Sequence, residues 1–157
     1  MKAYVRLIIS VVLCQAAGIV GSLFTTPAIN SWYAGLMRPA FAPPNWVFAP
    51  VWISLYLLMG ISFFIVWNVG LEKGAVRKSI IIFGIQLLLN ALWSYLFFGL
   101  RSPLMGFIEI VAMWLMILLT MLSFFKISRK AGLLLVPYLA WVSIASYLNY
   151  SILVLNP

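Results

Sequence analysis

Residues 103–125 read PLMGFIEIVAMWLMILLTMLSFF, an apolar run with one charged side chain, Glu109. About 20 residues of helix cross the roughly 30 Å hydrocarbon core of a bilayer, so this run is long enough to span a membrane. Four more runs of similar character occur in the chain, three before this run and one after it. We predict spans at about residues 4–26, 46–69, 76–99, 103–125 and 132–154. The sequence therefore predicts an all-α integral membrane bundle of five transmembrane helices, forming a single domain over residues 1–157.

Composition supports the same fold class. The chain is 66% hydrophobic and 8% charged, with a mean hydropathy of +1.15. Soluble domains are about 45–50% apolar and about 25% charged, and a small soluble chain has too little interior to bury so much apolar surface. The net charge of +8 does not indicate a nucleic-acid partner, because the ten Lys and Arg residues form short clusters between apolar runs. We therefore expect membrane lipid to surround the protein, and we expect no nucleic-acid partner.

The distribution of basic residues predicts the orientation. Eight of them flank one side of the predicted spans: Lys2, Arg6, Lys73, Arg77, Lys78, Lys126, Arg129 and Lys130. Only Arg38 and Arg101 flank the other side. Cytoplasmic loops of membrane proteins carry the excess of Lys and Arg. We therefore predict a cytoplasmic N-terminus, with the C-terminus and the first loop outside.

The first loop, predicted over residues 27–45, is rich in proline and aromatic residues. Four of its residues are prolines, and Trp32, Tyr33 and Phe41 lie among them. Proline at this density favours extended or turn geometry, and aromatic side chains favour the headgroup region. We expect this loop to cover the end of the bundle as a lid.

Ionisable and metal-binding side chains are scarce. The chain has no histidine and one cysteine, Cys14, which lies in the first apolar run, so no metal site is expected. Glu109 is the only acidic residue inside a predicted span. It has two interpretations: a proton relay or substrate counter-ion, or a neutral carboxyl that hydrogen-bonds a neighbouring helix.

Three predicted helices each carry a stripe that combines tryptophan with an amide or hydroxyl group. The stripes are Trp52 and Tyr56, then Gln86, Asn90 and Trp93, then Trp141, Ala145 and Asn149. Such spacings place side chains on one face of a helix. Any single stripe is explained by core packing, whereas three that converge beneath an aromatic loop indicate an apolar ligand pocket.

The first span offers close-packing motifs, Ala17-x-x-x-Gly21 and Gly18-x-x-x-Ser22. Small residues at this spacing let helices approach closely. Contact within the chain and contact in a dimer both fit these motifs.

Several motifs together resemble a known family. Residues 32–52 read WYAGLMRPAFAPPNWVFAPVW and are followed by Leu55 and Tyr56. Residues 90–94 read NALWS before Phe97 and Phe98, and residues 137–141 read PYLAW before Leu148 and Asn149. This set closely resembles the TspO/MBR family, which comprises tryptophan-rich sensory proteins and translocator proteins, also known as peripheral benzodiazepine receptors. The resemblance covers essentially the whole chain.

The resemblance implies a five-helix bundle, commonly a homodimer, that binds protoporphyrin IX or a related tetrapyrrole in a pocket capped by the first loop. It also implies binding of benzodiazepine and isoquinoline carboxamide ligands. Porphyrin would be the ligand or the substrate, and no cofactor is required. The implied function is a membrane sensor or regulator, and transport of porphyrin or another amphipathic solute is the alternative. Enzyme activity stays open, because some bacterial members promote light- and oxygen-dependent porphyrin breakdown.

The family motifs also imply site residues. Matched by motif, the ligand-binding set is Tyr33, Pro44, Trp46, Phe48, Trp52, Tyr56, Asn90, Trp93, Trp141, Ala145 and Leu148. Trp52 and Trp141 match the tryptophans associated with porphyrin breakdown. Arg38 replaces a lysine of the family pattern and keeps the charge for a porphyrin propionate.

The end of the last span departs from the animal members of the family. No Lys or Arg follows Tyr150, so a cholesterol motif, which requires one, cannot be completed there. This departure points to a bacterial cell-membrane protein without a sterol role.

Overall fold

The computed structural model describes residues 1–157 and contains five helical segments that are long and apolar enough to cross a membrane. The first two are α1 (Ala3–Ile29) and α2 (Asn45–Asn68). The third is α3 (Gly74–Ser94), extended by a π-helical segment at Tyr95–Gly99. The fourth is α4 (Pro103–Ile127), and the fifth consists of α5 (Arg129–Leu134) and α6 (Val136–Leu155). The predicted all-α fold class is confirmed.

Serine side chains mark the helix ends around α4. The Ser102 hydroxyl accepts a hydrogen bond from the Met105 amide at 3.2 Å, and Pro103 occupies the first turn. Ser128 ends α4 and caps α5, since its hydroxyl accepts from the Ala131 amide at 3.4 Å. Proline suits a first turn because its missing N–H would have no partner there.

Two predicted boundaries differ from the structure. Pro27 was expected to begin the loop, but α1 continues through it to Ile29. Proline is tolerated in a membrane helix where other groups compensate for the lost backbone bond. The last span was expected from residue 132, and it begins at Arg129 because Ser128 caps a short extra helix that breaks at Leu135.

The helices alternate in direction, so the flanking Lys and Arg clusters gather at one end of the bundle, which we call the basic end. The end that carries the first loop is called the loop end. The half of the bundle next to the basic end is tightly packed: the ring of Phe83 stacks on Phe63 at 4.8 Å and on Phe124 at 5.8 Å. The Ser62 hydroxyl also donates a hydrogen bond to the Ala131 carbonyl at 2.7 Å.

The glycines of α1 face the interior of the same chain. A β-carbon at Gly18 would overlap the ring of Tyr56, and one at Gly21 would lie 2.9 Å from the Ser94 hydroxyl. Gly18 and Gly21, one from each small-residue motif of α1, therefore pack within the chain. The expected homodimer stays a prediction.

Candidate functional site

In the half of the bundle next to the loop end, the helices separate around a cavity of about 570 Å³. Its walls come from α1, α2, the α3 segment and α6, and Met113 contributes from α4. Apolar side chains dominate the lining, and no Asp, Glu, Lys or Arg side chain belongs to it. A concave, mostly apolar site with a few polar groups is the usual form of a small-molecule site.

The cavity brings together all but one of the ligand-binding residues expected from the family motifs. Those that line it are Tyr33, Trp46, Phe48, Trp52, Tyr56, Asn90, Trp93, Trp141, Ala145 and Leu148. The exception is Pro44. With Arg38, Pro44 lines a separate depression of about 470 Å³ on the first loop. Neither residue lies in the main cavity wall.

The tryptophan rings are fixed by aromatic neighbours. Trp52 stacks on Tyr56 with ring centroids 5.5 Å apart, and Trp93 stacks on Phe97 at 5.1 Å. Trp141 meets the ring of Phe48 edge to face at 5.9 Å. Each such pair adds about 0.5–1.5 kcal/mol beyond burial. The cavity therefore presents preformed aromatic walls on three helices.

A chain of hydrogen bonds forms the floor of the cavity. The Tyr56 hydroxyl donates to Asn90 Oδ1, and Asn90 Nδ2 donates to the Tyr138 hydroxyl at 2.8 Å. The Tyr138 hydroxyl in turn donates to Gln86 Oε1 at 2.9 Å. All four side chains are buried, so this chain, which we call the floor network, satisfies polar groups that would otherwise be costly in lipid.

A second polar contact joins three helices beside the cavity. The Trp93 indole N–H donates to Asn149 Oδ1 at 3.2 Å, and Asn149 Nδ2 donates to the Pro103 carbonyl at 2.9 Å. Asn149 thereby fixes the plane of the Trp93 ring. The helix face shared by Asn90 and Trp93 thus takes part both in the floor network and in the contact with Asn149.

The π-helical segment at Tyr95–Gly99 was not predicted from the sequence. The Leu100 amide donates to the Tyr95 carbonyl at 2.8 Å, five residues earlier, instead of four. Both Phe97 and Phe98 are buried, and both line the cavity. Single-turn π segments occur frequently at functional sites. Two consecutive phenylalanines at the end of an apolar run were the only available signal.

The sequence interpretation also missed the wall formed by α1. Gln15, Gly18, Ser22 and Thr25 line the cavity from this helix. Their spacing of three to four residues places them on one helix face. The polar members of this stripe were a signal, but the glycines beside them suggested helix packing alone.

The first loop covers most of the loop end of the cavity. Tyr33, in a 3₁₀ turn at Tyr33–Gly35, is 3% exposed and lines the cavity. The Arg38 guanidinium lies 5.2 Å from the centre of the Tyr33 ring and donates a hydrogen bond to Asn45 Oδ1. Burial raises the pKa of Tyr33, and the charge of Arg38 acts in the opposite direction.

The loop is also tied to the end of α6. The Met37 amide donates to Asn156 Oδ1 at 3.0 Å, and Asn156 Nδ2 donates back to the Met37 carbonyl at 2.9 Å. The Phe41 ring stacks on Tyr147 at 5.1 Å. We call these contacts the loop clamp.

Glu109 lies outside the cavity. It is 6% exposed, and neither carboxyl oxygen has a hydrogen-bond partner in the chain. The interpretation that it ties α4 to a neighbouring helix by a hydrogen bond is therefore not supported by the structure. An ionised carboxylate here would lack compensation for its desolvation.

Comparisons with known proteins all point to one family. A profile of the TspO/MBR family matches residues 10–155. The tryptophan-rich protein TspO of Chlorobaculum tepidum is 47% identical over 99% of both chains. Its namesake in Archaeoglobus fulgidus is 44% identical over 96% of this chain and 97% of its own. The human translocator protein is 36% identical over 85% of this chain and 79% of its own.

Proposed function

The chain belongs to the TspO/MBR family, and from that membership we propose that it is a membrane sensor or regulator that binds protoporphyrin IX or a related tetrapyrrole in its cavity. Benzodiazepine-type and isoquinoline carboxamide ligands would occupy the same space. The protein would lie in a bacterial cell membrane with the basic end in the cytoplasm and the loop end outside.

One observation carries the proposal: an uncharged cavity of about 570 Å³ has Trp52, Trp93 and Trp141 in its walls. Flat aromatic walls suit a flat conjugated macrocycle, because stacking adds to the free energy of apolar burial. The absence of histidine in the chain favours a free-base porphyrin over ligated haem. A binding site also needs fewer ionisable groups than acid–base catalysis does.

The test is titration of the purified protein with protoporphyrin in the dark. Binding in the cavity would quench tryptophan fluorescence and shift the porphyrin absorbance. Leu148→Trp fills the cavity with a larger ring and should weaken binding. Leu119→Trp is the matched control, because Leu119 is 50% exposed on α4 and does not line the cavity. Equal affinity in both variants would disprove binding at this site.

A second candidate function is light-dependent breakdown of the bound porphyrin by dioxygen. Trp52 and Trp141 both line the cavity, and the Trp141 indole N–H is buried without a partner. In this reaction dioxygen is the oxidant and the illuminated macrocycle is oxidised. The two indoles stack on the ring, and one of them lends the excited macrocycle an electron that returns to the indole once both atoms of dioxygen have been added across a bond of the macrocycle.

This candidate predicts a new absorbing product when the complex is illuminated in air. Binding alone gives only a spectral shift. If the product forms equally well when both tryptophans are replaced by phenylalanine, their proposed role is wrong. The transport alternative has no comparable support, since Glu109, its only candidate for proton coupling, does not line the cavity.

A further inference from the structure

The cavity has an opening between α1 and α2. Ile19 of α1 is 64% exposed and Ile53 of α2 is 59% exposed, yet both line the cavity. Ser22 and Ala49 are also exposed lining residues, one on each helix. A residue that faces both the cavity and the outside of the bundle lies at an edge of an opening. We call this opening the side slot.

Contacts between α1 and α2 close the side slot at its edge nearer the basic end. Gln15 Nε2 donates a hydrogen bond to the Ile53 carbonyl at 3.0 Å, and Gly18 packs on the Tyr56 ring. Closer to the basic end, Gly60 lies against the backbone of Val11. Gln15 sits near the middle of α1, so the slot faces the half of the membrane next to the loop end.

The side slot extends over about three turns of α1. From Gln15 to Thr26, both of which line the cavity, α1 rises about 16 Å at 1.5 Å per residue. These residues lie inside a segment apolar enough to span a membrane. In a bilayer the slot therefore opens onto acyl chains and not onto water.

Thr26 in the last turn of α1 and Trp46 in the first turn of α2 line the cavity and are also exposed, so the side slot extends up to the first loop. The rest of the loop end is closed by the first loop. Tyr33 is buried beneath the loop, and Arg38 holds it by lying over its ring. The loop clamp adds two hydrogen bonds between Met37 and Asn156 and one aromatic stack. Opening this end requires several contacts to break together, whereas the side slot requires none.

We propose that the ligand enters and leaves the cavity from the bilayer through the side slot, and that the first loop is a fixed roof and not a lid. This inference rests on the proposed function, because protoporphyrin is the ligand whose entry and exit the test measures. Apolar ligands that partition into lipid reach such an opening at high local concentration. The floor network and Gln15 then limit how deeply the ligand enters.

The test compares three cross-links in a Cys14→Ala background, which removes the one native thiol. Ser22→Cys with Ala49→Cys bridges the side slot. Met37→Cys with Asn156→Cys fastens the roof. Arg6→Cys with Asn68→Cys is the matched control, because it also joins α1 to α2 but does so at the basic end, where those side chains already form a hydrogen bond at 3.2 Å.

Each pair is joined by a short bifunctional thiol reagent, and protoporphyrin association and dissociation rates are measured in vesicles by tryptophan quenching. We expect the slot cross-link to slow both rates by at least about tenfold, as closing a gate should. The roof cross-link and the control should leave both rates unchanged. Slowing by the roof cross-link alone, or equal slowing by all three, would overturn the proposal.

Loading the protein before cross-linking covers the case in which the slot reagent itself blocks binding. Protoporphyrin bound first should then be retained by the slot cross-link and released normally from the other two. Rapid release through a cross-linked slot would also overturn the proposal. Failure of the unmodified protein to bind protoporphyrin would instead contradict the proposed function, and the rates would then be measured with an isoquinoline carboxamide.

Discussion

Gly18 of α1 lies against the ring of Tyr56 of α2, so closely that a β-carbon at residue 18 would overlap the Cδ2–Cε2 edge. The Tyr56 hydroxyl is held by Asn90 in the floor network, so the ring cannot move aside without breaking that bond. Gly18 thus sets the distance between α1 and the floor of the cavity.

Gly18→Ala should destabilise the bundle by about 1–3 kcal/mol through overpacking and should weaken porphyrin binding. Thermal unfolding in detergent and the dark titration measure the two effects. Gly84→Ala is the matched control, since a β-carbon there meets nothing within 4 Å and alanine favours the helix by about 0.5–1 kcal/mol. Equal stability of the two variants would contradict the close-contact argument.

Tyr138→Phe should lower stability by about 1–3 kcal/mol, because it leaves the Asn90 amide and the Gln86 carbonyl without their shared partner. Tyr147→Phe, at a residue that is 62% exposed, should have little effect. Thermal unfolding followed by circular dichroism measures both. A small change at Tyr138 would mean that the floor network adds little to stability.

Glu109→Leu should raise stability by about 1–3 kcal/mol, since it removes a buried carboxyl that has no hydrogen-bond partner. Gln86→Leu changes a buried polar residue in the same way but should lower stability, because Gln86 accepts from Tyr138. The two melting temperatures should therefore move in opposite directions. A loss of stability in Glu109→Leu would show that the carboxyl has a stabilising partner.

Trp52→Phe and Trp141→Phe should each weaken protoporphyrin binding by about two- to tenfold, which corresponds to the partial loss of one stacking surface. Trp114→Phe is the matched control, because it makes the same substitution at a tryptophan outside the cavity. Trp114 does not line the cavity and instead donates to the Ser143 hydroxyl at 2.8 Å. Similar losses of affinity in all three variants would place the porphyrin elsewhere.

Arg38→Ala should weaken binding of protoporphyrin but not of its dimethyl ester, which lacks the propionate charges. The effect should be small, about 0.2–1 kcal/mol, because Arg38 is exposed in the loop depression. Arg38→Lys should recover part of the loss. Parallel titrations of the two porphyrins measure the difference, and equal losses for both would exclude a propionate contact.

The spans were predictable because a bilayer imposes length and hydropathy on every helix, and the five runs stand out in those terms alone. The tryptophan stripes were predictable because helical spacing puts Asn90 and Trp93 on one face. Their contacts could not be derived in the same way. Which side chain Asn149 fixes depends on the rotation of three helices about their axes.

Two features of the site lay beyond sequence periodicity. The π-helical turn brings both Phe97 and Phe98 into the cavity wall, and it depends on one shifted backbone hydrogen bond at Leu100. The helical path of α1 through Pro27 depends on tertiary packing, which local propensity does not contain. The family motifs placed Pro44 with the pocket residues and gave Arg38 a possible propionate contact, whereas both residues line the separate depression on the first loop.

The stacked rings of Phe63, Phe83 and Phe124 lie in the half of the bundle that the cavity does not reach. The phenylalanine stack and the proposed binding cavity thus lie in opposite halves of the bundle. Substitutions in the cavity wall outside the floor network can therefore change the shape of the cavity while the phenylalanine stack still packs the helices at the basic end. Because the tightly packed half of the bundle is separate from the cavity, the residues that line the cavity can vary without loosening that packing. The same fold could then accommodate ligands of different shape.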